Sequence, residues 1–113
     1  MSEQLRYRCS PEGLIHTKAI EMMKLLAMQD EAKNPELRDS KKKTLIHIYL
    51  FAKESRIRSY EGHTVTLVFR EGFRLRYGFD RRSRQLVKRA LERVLEKEIV
   101  LDIVDDIEND FFC

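Results

Sequence analysis

With 113 residues, 42% of them apolar, the chain can bury one modest core as a single domain, and its 36% charged residues are interleaved with aliphatics and aromatics, which excludes a disordered tail. No apolar run approaches the roughly 20 residues that span a bilayer, and Cys9 and Cys113 form no CxxC and follow no secretory signal, so a soluble protein of a reducing cytoplasm is expected. The net charge of +3 conceals a division: residues 70–93 hold nine Lys/Arg against three Asp/Glu, whereas residues 96–113 hold seven Asp/Glu against one lysine.

Ser10-Pro11 is a helix start, a capping serine followed by a proline suited to the first helical position. Behind it Ile15, Ala19, Met22 and Leu26 recur on one stripe, predicting a helix to about residue 31, with Met23, Leu25 and Met28 widening its core face. The polar stretch AKNPELRDSKKKT, with Pro35 inside it, reads as a loop running to a second N-cap at Asp39-Ser40. Lys41, Lys42 and Lys43 oppose the dipole of the helix that they open, as a solvated run or as contacts for an external anion. TLIHIYLFAKES fits a helix with Leu45, Ile48 or Tyr49, and Ala52 inward, and its apolar remainder suggests cover on more than one side.

RIRSYEGHTVTLVFR alternates as a hairpin, with strands at residues 56–60 and 64–70 around a turn at Glu61-Gly62-His63. Val65, Leu67 and Phe69 face one way and Thr64, Thr66 and Val68 the other, leaving the second face more open. A short segment at residues 73–77 and a break at Gly78-Phe79-Asp80 lead to a helix over residues 81–97. Leu86, Val87, Ala90, Leu91, Val94 and Leu95 form its buried stripe, with Lys88, Arg89, Glu92 and Arg93 outside. A last strand over residues 98–104 alternates Ile99, Leu101 and Ile103 against Val100, Asp102 and Val104.

From residue 42 the order is thus helix, strand, strand, helix, helix, strand. That is the α-β-β-α-α-β order of a type II KH fold. YEGHTVTLVFREGF followed by RQLVKRALERVLEKEIVLDIV resembles the C-terminal KH-like domain of the tau subunit of bacterial DNA polymerase III. It is similar, to a lesser degree, to the N-terminal domain of the bacterial replication initiator. The resemblance implies an α+β fold with a three-stranded sheet: a KH-like core over residues 42–104, an additional N-terminal helix and polar connection over residues 1–41, and an acidic tail over residues 105–113, all in one domain. A KH domain that binds nucleic acid clamps the backbone with a GXXG loop. The corresponding junction here, Gly78-Phe79-Asp80-Arg81, keeps the first glycine alone and sets Asp80 where phosphate would approach. The two replication families also lack that motif and use the fold largely to bind other replication proteins.

The function expected is therefore non-enzymatic: docking of another replication protein through a basic helix face. Arg74, Arg76, Arg81, Arg82, Arg84, Lys88 and Arg89 supply orientation and on-rate, and Phe73, Tyr77 and Phe79 are the aromatic anchors, each also a candidate core residue. The alternative is nucleic-acid binding without the clamp, where the same arginines meet phosphates and Tyr77 stacks on a base. No cofactor, metal or membrane is expected. His16, His47 and His63 lack ligand spacing, the acids near the C-terminus have no second cluster to complete a metal site, and no nucleophile-base or phosphate-cradling pattern is visible. The tail DDIENDFFC resembles the acidic, phenylalanine-bearing tip by which bacterial single-strand-binding proteins recruit partners. Folding back onto the chain's own arginines is the other use for it.

Overall fold

Ser10 is extended (φ −76°, ψ 160°), and its hydroxyl accepts the Gly13 N–H at 3.1 Å, so the first helix starts at the predicted cap. Helix α1, Pro11–Lys33, ends where Pro35 forces Asn34 out of the helical region, while the Asn34 N–H still reaches the Asp30 carbonyl at 3.0 Å. The computed structural model describes residues 6–7, 9–36, 41–70, 72 and 81–107, with the backbone alone for residues 41–43. Within these, helix α2, Lys41–Glu54, passes without a linker into strand β1, Ser55–Glu61.

A two-residue turn with Gly62 at φ +59° joins β1 to β2, Thr64–Arg70, and that positive φ is why glycine sits there. The antiparallel register runs from Ser55 opposite Phe69 to Glu61 opposite Thr64 and shifts between Ile57 and Ser59, so Arg58 is the extra residue of a bulge. Helix α3, Arg81–Leu95, then returns the chain so that β3, Val100–Asp106, pairs with β2 in parallel, Thr64 opposite Val100 through Arg70 opposite Asp106. A parallel pair needs such a crossover, and an amphipathic helix supplies it here. The result is an α+β fold with a mixed sheet of order β1-β2-β3. Residues 73–80, where the KH-like order places its remaining helix and the altered GXXG junction, lie outside the described residues, as do residues 108–113 of the acidic tail.

Two boundaries differ from expectation for one reason. The long helix stops at Leu95 because Glu96 turns left-handed (φ 57°) and the Lys97 N–H closes back on the Glu92 carbonyl at 3.3 Å, a Schellman cap. Residues 96–99 are consumed in the turn, so the last strand begins at Val100, whose N–H meets the His63 carbonyl at 2.7 Å, and runs to Asp106. Lys97 Nζ also donates to the Gly62 carbonyl at 2.6 Å and ties this turn to the hairpin.

The core lies between the sheet and the helices. Ala19, Met23 and Leu26 of α1, Ile48 and Phe51 of α2, and Val87, Ala90 and Leu91 of α3 close over Ile57, Val65, Leu67 and Phe69. Val68 is buried on the face expected to be more open. Two groups assigned inward by periodicity are outward instead. Leu25 and Met28 of α1 are exposed, and so are Leu45 and Tyr49 of α2, whereas His47, Ile48, Leu50 and Phe51 are buried. The direct continuation of α2 into β1 accounts for the second case: it fixes Phe51 against the core, and the positions three and four residues earlier, Ile48 and His47, share its face.

Candidate docking face

Helix α3 sorts its residues cleanly. Ser83, Leu86, Val87, Ala90 and Leu91 are buried, while Arg81, Arg82, Arg84, Lys88 and Arg89 are exposed. Of the expected basic residues, the five at described positions are exposed on this helix, and two of them have intramolecular work. Arg84 donates from Nη2 to the Leu101 carbonyl at 2.8 Å, pinning α3 to β3. Arg89 grips Asp30 of α1 with both arms of its fork, at 2.9 Å and 3.3 Å. That hydrogen bond holds the Asp30 carboxyl below its usual range and raises the guanidinium of Arg89. Arg81, Arg82 and Lys88 remain as outward cations. Arg74, Arg76 and Tyr77, together with Phe73 and Phe79, lie outside the described residues.

Beside this face, between the C-terminal half of α1 and the first turns of α2 and α3, opens a groove of about 600 Å³. Its walls are apolar, formed by Ala27 and Met28, Leu45 and Ile48, and Leu86. Lys24, Arg82 and the Arg89–Asp30 pair stand at its polar margin with Glu31. Met28 is 68% exposed and Leu45 52%, a costly display of apolar surface for two residues at helical core spacing. The first turns of α2 and α3, next to the groove, contain no acidic residue.

At the groove's base His47 of α2 and Ser83 of α3 are joined by a hydrogen bond between Nδ1 and the hydroxyl. A serine against a histidine is half of a nucleophile-base arrangement. Ser83 is 2% exposed, and the pair satisfies two buried polar groups while fastening α2 to α3. A second histidine anchors the other end of the helical layer. His16 of α1 donates from Nε2 to the Phe51 carbonyl at 2.8 Å and accepts from the Tyr7 hydroxyl on Nδ1 at 3.0 Å. The Tyr7 oxygen in turn accepts the Ile57 N–H at 2.7 Å. Burial pushes the His16 imidazole down to about 4 and raises the Tyr7 phenol well above its ordinary value.

Among the described residues no three His, Cys, Asp or Glu side chains gather where they could hold a metal ion, and no helix is long and apolar enough to cross a membrane. No family model matches the chain, and no curated protein or solved structure matches it either.

The groove escaped the sequence reading because it joins residues far apart in the chain. His47 and Ser83 stand 36 positions apart and nothing local to either announces the other. Met28 and Leu45 did carry a signal: in both α1 and α2 the apolar residues occupy more of the circumference than one buried stripe requires.

Proposed function

We propose that this chain is a non-enzymatic protein-interaction module with a KH-like fold, which docks another protein of the bacterial replication machinery through the outer face of α3. Arg81, Arg82 and Lys88 are the contacts on described residues, and Arg74, Arg76 and Tyr77 are further contacts assigned from the sequence. Arg84 and Arg89 hold that face in place against β3 and α1. The observation that carries this proposal is the adjacency of Arg82 on α3 to the exposed apolar side chains Met28 of α1 and Leu45 of α2. Aromatic, aliphatic and arginine contacts supply most interface energy, and charge steers the encounter. The replication setting rests on the resemblance of residues 42–104 to the tau and initiator domains, and on the poor match of Gly78-Phe79-Asp80-Arg81 to a phosphate clamp.

The test is affinity capture from a bacterial lysate with mass-spectrometric identification, run in parallel with the Arg81→Glu, Arg82→Glu, Lys88→Glu triple variant. Recovery of a replication protein by the parent and its loss with the variant is the expected outcome. A titration against oligonucleotides at two salt concentrations decides against the proposal if it gives tight binding with a steep salt slope, the signature of phosphate contacts.

A further inference from the structure

We propose that the groove between α1, α2 and α3 seats an acidic amphipathic helix of a partner protein, with its large apolar side chains on Met28, Leu45 and Leu86 and its carboxylates turned to Lys24 and Arg82. This rests on the docking function proposed above and names the place and the chemistry of the partner.

Shape argues first. A volume of about 600 Å³ falls within the range of about 300–1,000 Å³ typical of clefts that bind ligands, enough for a few large side chains. The walls come from three helices and offer no strand edge to an extended peptide, so the matching recognition mode is a helix laid along a groove by anchors spaced three and four residues apart. The exposed apolar surface extends beyond the walls on the same two helices, at Leu25 of α1 and at Ile46 and Tyr49 of α2. A surface of this composition gains most from a partner that is itself apolar on one side.

Charge selects the sign of the other side. Residues 81–91 contain five Lys/Arg and no acid. The first turn of α2 opens with three lysines, and the first turns of α2 and α3 contain no acid. Of the two acids at the groove margin, Asp30 is already engaged by Arg89. A basic or neutral helix would meet repulsion or indifference at Lys24 and Arg82, and an acidic one meets attraction from these side chains.

The probe is a labelled synthetic peptide helix with Leu and Phe at i, i+3, i+4 and i+7 and Glu on the flanks, titrated against the full chain by fluorescence anisotropy. Two control peptides exchange all Glu for Lys or all Leu and Phe for Ala. The protein variants are Met28→Glu with Leu45→Glu, and Arg82→Glu; all three positions are exposed, and a thermal melt verifies that the variants fold. The acidic apolar peptide should bind, more weakly at higher salt. Either variant should weaken it about tenfold or more, the scale on which anchor residues act, and both control peptides should bind no better than the variants do.

Equal binding of the Lys peptide, or undiminished binding to the Met28→Glu, Leu45→Glu protein, overturns the inference. The same double variant, carried through the lysate capture, separates the two proposals. If the captured partner survives it but is lost with the α3 triple variant, the docking function stands and the groove is not its seat. If neither variant affects capture, the docking function falls as well.

Discussion

Acidification should destabilise this protein through His16, and the size of the effect follows from its surroundings. The imidazole is 4% exposed and neutral by necessity: Nε2 must carry the hydrogen that the Phe51 carbonyl accepts, and Nδ1 must be bare to accept from Tyr7. A second proton would put an N–H against the Tyr7 O–H, and the Tyr7 oxygen is already engaged by the Ile57 N–H. The nearby Arg56 guanidinium opposes the charge further. With burial of the ring as the largest cause, the folded value is depressed from 6.5 to about 4. Because the unfolded chain binds the proton first, stability from this group is fully present above pH 6.5 and is lost as pH falls toward 4. A difference of about 2.5 units corresponds to about 3 kcal/mol over that window, with a slope of up to about 1.4 kcal/mol per pH unit. Urea unfolding at a series of pH values, comparing the parent with His16→Gln, isolates the contribution, since all other titrating groups are common to both. The parent should lose stability faster than the variant between pH 6.5 and 4. Parallel curves would refute the assignment of a neutral, locked imidazole.

Leu91 is fully buried mid-stripe on α3, so Leu91→Ala should cost about 2–5 kcal/mol, while Arg89→Ala should cost about 1 kcal/mol or less because its ion pair with Asp30 is solvent-exposed; equal shifts in the thermal melts would contradict the assignment of the helix faces. Arg89→Ala should also let the Asp30 carboxyl rise, which NMR titration of the side-chain carbon would detect. Glu96→Gly should raise stability by roughly 0.5–1 kcal/mol, since the left-handed Schellman position at φ 57° suits glycine and penalises any Cβ. Denaturant midpoints measure it, and a lowered midpoint would mean that the Glu96 side chain has a role that the cap geometry does not reveal.

Local chemistry made the elements legible. Ser10-Pro11 marked the start of α1, alternation through Val65, Leu67 and Phe69 marked β2, and the 3.6-residue stripe of α3 identified Leu86, Val87, Ala90 and Leu91 as core. Phase was legible only where one side of the element was unambiguously polar. In α2 apolar residues are available on several sides, so periodicity alone could not select among faces, and the choice was made by the continuation into β1 and by His16 reaching the Phe51 carbonyl. The candidate site was legible as charge and illegible as shape. The run of arginines announced a basic face, but which of them are spent inside the fold depends on Asp30 and Leu101, 59 and 17 residues away from their partners.

The two outer strands of the sheet are each met by a side chain at a backbone group. On β1 the Tyr7 hydroxyl takes the Ile57 N–H, and on β3 the Arg84 guanidinium takes the Leu101 carbonyl. A three-stranded sheet has two margins along which another chain's strand could add itself, the route to aggregation and to exchange of segments between molecules. Here an incoming strand would have to displace a phenol on one side and a guanidinium on the other before forming its first bonds. The bulge at Arg58 adds a local twist to the first margin, and the exposed Asp102 sets a charge on the second. Tyr7, which looks like a mere helix anchor, thus also covers a backbone group on an outer strand, and its loss should show as turbidity at high concentration.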